Sequence, residues 1–187
     1  MRSFEDEFNK FIQTKRQEMK DKYNRVLPTG ELIFNRFDKA KYLNCGAGTS
    51  IYDTSIVMGD VKIGENVWIG PYTILEGLNE KLIIGNFVSI AAGVMIYTHD
   101  STKYFLTGGA APYEKGEVII GDNTVIGTMS MIGYGVHIGN HCVIGAHSFV
   151  NTDIPDYSIA VGVPAKIIGK VIINGSQVNF EYLNRSV

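Results

Sequence analysis

Four histidines, His99, His137, His141 and His147, are the side chains of this 187-residue sequence best placed to handle protons near neutral pH. Imidazole has an unperturbed pKa of about 6.5, so it serves as a general base, a general acid or a metal ligand. His99 stands in the run Tyr97-Thr98-His99-Asp100. Asp100 has two readings: it orients an imidazole or binds a cationic amine, or it caps the loop through its own backbone. Two cysteines, Cys45 and Cys142, read as small buried thiols rather than a disulfide or a nucleophile. No cysteine–histidine cluster has the spacing of a metal site.

The elements that must position these residues follow from a ladder of aliphatic residues six apart. It runs Cys45, Ile51, Val57, Ile63, Ile69, Leu75, then Ile84, Ile90, Ile96, then Ile120, Ile126, Ile132, Ile138, Ile144, Val150. Glycine often follows a rung, as at Gly64, Gly85, Gly121 and Gly139. Four residues past a rung sits a small or β-branched residue, as at Thr49, Ser55, Thr124 and Ser130. A period of six fits neither a lone helix nor an isolated sheet, and is the signature of a parallel β-helix. Fifteen rungs taken three to a coil predict an all-β solenoid of about five coils. At roughly 4.8 Å per coil it stands about 24 Å tall.

Two spacings break the period. Leu75 to Ile84 carries three extra residues and Ile96 to Ile120 carries eighteen. Counted in threes from Cys45, both fall at one corner, after the third face. Solenoids collect insertions on one side, often the binding side. His99 opens the larger insertion, a loop over 97–117. His137 precedes a rung and points outward from a face, while His141 and His147 fall at the two other corners. The four do not converge within one chain, although an interface between chains would allow it.

Length and 45% hydrophobic content fit one globular unit. A formal net charge of -2 gives no sign of a nucleic-acid partner. The start is acidic and lacks the apolar run of a signal peptide, and no window is apolar enough to cross a membrane. A cytoplasmic protein is the resulting expectation. The chain divides into an N-terminal helical segment over 1–44, the solenoid over 45–155 and a C-terminal extension over 156–187. Residues 3–27 predict a helix, with Ser3 and Asp6 as a capping box and Pro28-Thr29-Gly30 as its end. It is expected to cover the end of the solenoid or to meet a neighbouring subunit. Residues 31–44 read as a linker with a short strand or helix. In the tail, Asn174-Gly175 between apolar runs signals a hairpin.

The hexads of the type Ile-Gly-Glu-Asn-Val-Trp, the histidine-bearing loop, and the closing runs Ile144-Gly145-Ala146-His147-Ser148-Phe149-Val150 and Gly162-Val163-Pro164-Ala165-Lys166 resemble the hexapeptide-repeat acyltransferases. The resemblance covers about 45–170 and implies a left-handed β-helix, a homotrimer with sites between subunits, acetyl-CoA as donor and no metal. By the same resemblance His99 matches the general base, with Asp100 beside it. Thr128 and Ala146 match the wall of the pantetheine arm. Asn151, Thr152 and Lys166 match the nucleotide end of the donor. The asparagine that holds sugar in the galactoside and maltose branch has no counterpart near Gly70-Pro71-Tyr72. The loop, with Lys103, Tyr104, Phe105, Tyr113 and Glu114, is more similar to enzymes that acylate nucleotide-linked sugars for bacterial surface polysaccharide, such as 3-amino-dideoxy sugars on dTDP. There Lys103 and Tyr104 would meet the acceptor, and Gly135 would leave room for the thioester. An O-acetyltransferase of sugars is the neighbouring alternative. A zinc-dependent hydratase resembling carbonic anhydrases and a non-catalytic assembly solenoid are the readings from other classes.

Overall fold

The computed structural model describes residues 3–183. The ladder closes into a parallel β-helix whose rungs stack in register. On the first face Ile63 pairs with Ile84, Ile84 with Ile120, Ile120 with Ile138, and Ile138 bridges to Ile154. On the second face Ile51, Ile69, Ile90, Ile126, Ile144 and Ala160 follow one another. On the third they are Val57, Leu75, Ile96, Ile132 and Val150. The interior rungs are buried, while Cys45 and Val57 at the open end are partly exposed. The register runs into a sixth, partial coil: Ile154 and Ala160 continue two faces although the spacing from Val150 to Ile154 shrinks to four. That shortened step is why the period alone ends at Val150.

The small residues four past a rung have a second job besides fitting a tight corner. Thr49, Ser55, Thr124 and Ser130 each donate their hydroxyl to a carbonyl of the next coil, at 2.7, 2.8, 2.9 and 2.9 Å. These bonds tie coils together where backbone pairing is interrupted. Thr73 is the exception: its hydroxyl oxygen is buried and has no partner. The corner between the first and second faces carries an amide–carboxylate ladder. Asn86, Asp122, Asn140 and Asp156 each accept, through Oδ1, the N–H of a residue in the adjacent coil.

The open end is covered by two short helices, α2 (Thr29–Ile33) and α3 (Arg36–Tyr42). Ala40 of α3 is buried in the core, and Lys39 donates to the carbonyls of Tyr52, Asp53 and Ser55 at 3.2, 2.8 and 2.7 Å. Buried Glu31 accepts from the backbone and hydroxyl of Thr54. Helix α1 (Phe4–Tyr23) is preceded by Ser3 and has the expected capping box. It stops four residues short of the expected end because Asn24 adopts a left-handed conformation (φ 51°) and returns its N–H to the Lys20 carbonyl. Only Ile12 of α1 is buried, and Phe4, Phe8 and Phe11 face outward. The cover is therefore α2 and α3, not α1.

After the last coil the strand Ser158–Val161 turns back into a hairpin of Lys166–Asn174 and Gln177–Tyr182. Its two-residue turn is Gly175-Ser176, one position past the expected pair, with Asn174 already paired to Gln177. Glycine takes the first central position at φ 60°, where a side chain would be strained.

Candidate active site

Both insertions emerge at the corner between the third and first faces, as the count of rungs requires. The first lies within the long strand Ile74–Ile84, which passes from the third face to the first. The second carries the short strand His99–Asp100, the helix α4 (Thr102–Leu106) and the strand Glu114–Lys115 paired antiparallel to His99–Asp100. This small two-stranded ribbon stands the loop against the solenoid and fixes the backbone of His99.

His99 is held on three sides. Its Nδ1 lies 3.0 Å from Oε2 of Glu76. Its ring stacks on Tyr113, with centroids 5.6 Å apart and planes at 12°, and meets the edge of Tyr97 at 6.4 Å. The side chain keeps 23% of its surface open to solvent. Glu76 is buried and carries further hydrogen bonds: Oε2 accepts from Thr98 N at 2.9 Å and Thr98 Oγ1 at 3.1 Å, and Oε1 accepts from Leu78 N. Burial pushes its carboxyl up, but the bonds from Thr98, His99 and Leu78 outweigh that and hold it below the ordinary range. No property of the ladder pointed to Glu76. The available signal was a carboxylate directly after rung Leu75, at a position that often holds glycine and in no other coil an acid.

Asp100 does not meet the imidazole. Its Oδ1 accepts from Thr102 N at 2.6 Å, and hydrogen bonding to Thr102 holds the carboxyl below its usual value. Of the two sequence readings, this contact is the loop-capping one. Lys103 pairs with Glu114 at 2.7 Å, so its charge is already answered. Tyr104 lies edge-on to Tyr113 at 5.0 Å and to Phe105 at 5.3 Å, an aromatic cluster that supports the ring stacked on His99. Gly135 lies one coil on. It donates to the Gly116 carbonyl at 3.2 Å, and Gly116 in turn donates to the Thr98 carbonyl at 3.1 Å. At φ 70° it has open space where a Cβ would stand, whereas a Cβ on Gly116 would lie 2.7 Å from Gly135 Cα. Gly116 is thus required for the close approach of the loop to the coil, and Gly135 keeps the ground beside the ribbon clear.

The remaining sequence candidates lie elsewhere on the surface. Thr128 and Ala146 are exposed one coil apart at the corner between the second and third faces, where Thr128 takes the His147 N–H on its carbonyl. Asn151 and Thr152 are exposed after the last third-face rung, and Lys166 is exposed at the start of the hairpin. The other histidines are dispersed: His137 lies on the first face 3.8 Å from Glu117, His141 stacks on Tyr157, and His147 is exposed at the Thr128 corner. Among the described residues, no three His, Cys, Asp or Glu come together in a set that would hold a metal. Among them, no helix is long and apolar enough to cross a membrane.

Comparison with known proteins agrees with this architecture. The sequence profile of the bacterial transferase hexapeptide family (six repeats) matches residues 117–152. A Staphylococcus aureus protein assigned as an acetyltransferase is 35% identical over 114 residues, which span 60% of this chain but only 56% of that relative. The Escherichia coli protein WbbJ, assigned to lipopolysaccharide biosynthesis as an O-acetyl transferase, is 29% identical over 136 residues, 68% of this chain and 69% of that one. Among solved structures, AntD, an N-acyltransferase from Bacillus cereus in complex with dTDP and 3-hydroxybutyryl-CoA, superposes with a TM-score of 0.61 at 31% identity, over 66% of this chain and 70% of AntD. With its rungs in six-residue register and a likeness to AntD over about two thirds of both chains, the chain belongs to the bacterial hexapeptide-repeat transferases, whose solenoid is the left-handed parallel β-helix.

Proposed function

We propose that the protein transfers an acyl group, most simply acetyl, from a CoA thioester to the amine of a nucleotide-linked sugar, with His99 as general base. The observation that carries this reading is the partly exposed imidazole of His99, braced at the corner of the solenoid that bears both insertions. Acyl transfer from a thioester needs an aligned pair of reactants and a base for the acceptor proton, and no enzyme nucleophile. As the acceptor atom bonds to the carbonyl carbon, His99 takes its proton. The carbon–sulfur bond breaks, and the departing thiolate recovers that proton from the imidazolium. The open ground at Gly135 suits the approach of the thioester. The likeness to AntD supports a dTDP-linked amine as acceptor, and the likeness to WbbJ supports a sugar hydroxyl as the second choice.

In this reading Thr128 and Ala146 line the pantetheine arm and Asn151, Thr152 and Lys166 meet the nucleotide end. The ammonium of Lys166 suits a phosphate as a point charge. Thr128 and Ala146 sit at the edge of the third face opposite His99, and in this reading the complete site is assembled between subunits of a trimer. The test is turnover of acetyl-CoA against a panel of nucleotide-linked amino and hydroxy sugars, with His99→Ala as control. For a hydroxyl acceptor His99→Ala should lower kcat by about 10²–10⁴, because the proton must leave as the bond forms. For an amine, part of which is already free at neutral pH, the loss should be about tenfold or less. Full activity of His99→Ala on every accepted sugar rejects the assignment.

A further inference from the structure

We propose that Glu76 is a positioning residue that holds His99 as the Nδ1–H tautomer and leaves Nε2 as the atom that accepts the proton. The geometry stands by itself; its catalytic consequence rests on the acyl-transfer reading of His99.

An ionised carboxylate only accepts, and a neutral imidazole has one donor and one acceptor nitrogen. Glu76 is enclosed, with 2% of its side chain exposed, and every partner around it is a donor: Leu78 N, Thr98 N and Thr98 Oγ1. Those donors stabilise the charged form, in line with the lowered carboxyl pKa. Facing such an oxygen at 3.0 Å, Nδ1 of His99 must carry the hydrogen, so the lone pair of the neutral ring falls on Nε2. Tyr113 on the ring face and Tyr97 at its edge restrict rotation of that plane.

The same contact explains why the two insertions share a corner. Leu75 and Ile96 are paired rungs of adjacent coils, so the residues after them, Glu76 and Tyr97, start their insertions at equivalent places. The shorter insertion supplies the carboxylate, bonded to Leu78 N within its own turn. The longer one supplies Thr98 and His99, which both bond to that carboxylate. Neither insertion makes the arrangement alone. The logic is that of a carboxylate orienting a catalytic imidazole, where replacing the acid by its amide costs about 10⁴ in kcat in the serine-protease case by favouring the wrong tautomer.

The experiment reads the tautomer first. Long-range proton–nitrogen correlation spectra of the ¹⁵N-labelled full chain, at a pH about two units above the ordinary histidine pKa, separate a protonated from a bare ring nitrogen, and the His99→Gln spectrum identifies the signals. The expected result is a proton on Nδ1 and a bare Nε2; a proton on Nε2 overturns the proposal. In Glu76→Gln, whose amide donates as well as accepts, His99 should no longer be confined to that tautomer. Its kcat with acetyl-CoA and a dTDP-linked 3-amino-dideoxy sugar should fall toward the His99→Ala level while the KM for acetyl-CoA stays within about twofold. Wild-type kcat in a folded Glu76→Gln overturns the positioning role. If Glu76→Gln does not fold, the wild-type spectrum alone decides. If no sugar of the panel is acylated, the acyl-transfer reading fails and the tautomer still settles the role of Glu76.

Discussion

Ile132→Ala measures how much of the fold's stability rests in a single rung. Ile132 is fully buried on the third face, with Ile96 on one side of it and Val150 on the other, each in backbone register. Alanine removes three carbons. At about 0.8 kcal/mol per buried methylene the transfer loss alone is about 2.4 kcal/mol. A cavity term is added, because the stacked coils are tied by backbone pairing above and below and have little freedom to collapse inward. The total should lie in the range of about 2–5 kcal/mol measured for such truncations. For a chain of this size, about 2–4 °C of Tm corresponds to each kcal/mol, so the melting temperature should drop by roughly 5–20 °C. Differential scanning calorimetry or a circular-dichroism melt reads it, with Lys22→Ala on the exposed side of α1 as the reference. Surface changes of that kind stay within about 0.5 kcal/mol. A melting shift for Ile132→Ala no larger than that of Lys22→Ala would mean that the rungs do not carry the core and that the inward register is wrong.

Other consequences follow from single side chains. Thr73→Val replaces a buried, unpartnered hydroxyl by a methyl of similar size, so it should stabilise the fold by about 1 kcal/mol, whereas Thr124→Val removes a made bond and should destabilise it; melts of the two variants should move in opposite directions, and a loss of stability in both would reject the reading of Thr73. The proposed trimer rests on the apolar outer column of the third face, so Met131→Glu should shift the sedimentation of the protein at micromolar concentration from trimer to monomer. A wild-type protein that sediments as a monomer would remove the basis for a site between subunits.

The rungs were readable because each is an independent repeat of one constraint, a side chain pointing into a prism of fixed width. Fifteen repetitions leave the register little room for error, and all fifteen rungs fall on the expected faces. What was not readable depends on contacts made once. The end of α1 is decided by the left-handed Asn24 rather than by Pro28. The segment over 31–44 holds the end of α2 and all of α3, and α3 forms where Asn35 caps Phe37 N and Lys39 finds three carbonyls at the rim of the first coil, none of which has a periodic signature. The site divides along the same line. The position of His99 followed from counting rungs, whereas its partner is not the adjacent Asp100 but Glu76, twenty-three residues earlier and one coil away. A short carboxylate next to a helix start satisfies the nearest backbone N–H first, and Asp100 does so at Thr102.

The third face joins the two halves of the proposed site. Its outward positions, directly before the rungs, are Ile56, Ile74, Met95, Met131 and Phe149, paired in one column from coil to coil. Ile56, Met95 and Met131 are exposed at 51%, 36% and 40%, a contiguous apolar strip of the kind that marks an interface. The first face, by contrast, mixes Lys62 and His137 with Ile83 and Ile119 in its outer column. Thr128 and Ala146 flank the third face at the corner where the chain enters it, and His99 flanks it where the chain leaves. Within one protomer the full width of that face separates the donor-lining positions from the base. When copies pack around a threefold axis through this strip, the edge at which one chain leaves the face meets the edge at which the next chain enters it. Burying the apolar column and completing the site are then the same event. A variant that loses the trimer should lose acyl transfer with it, even though Glu76, His99 and Tyr113 remain in place.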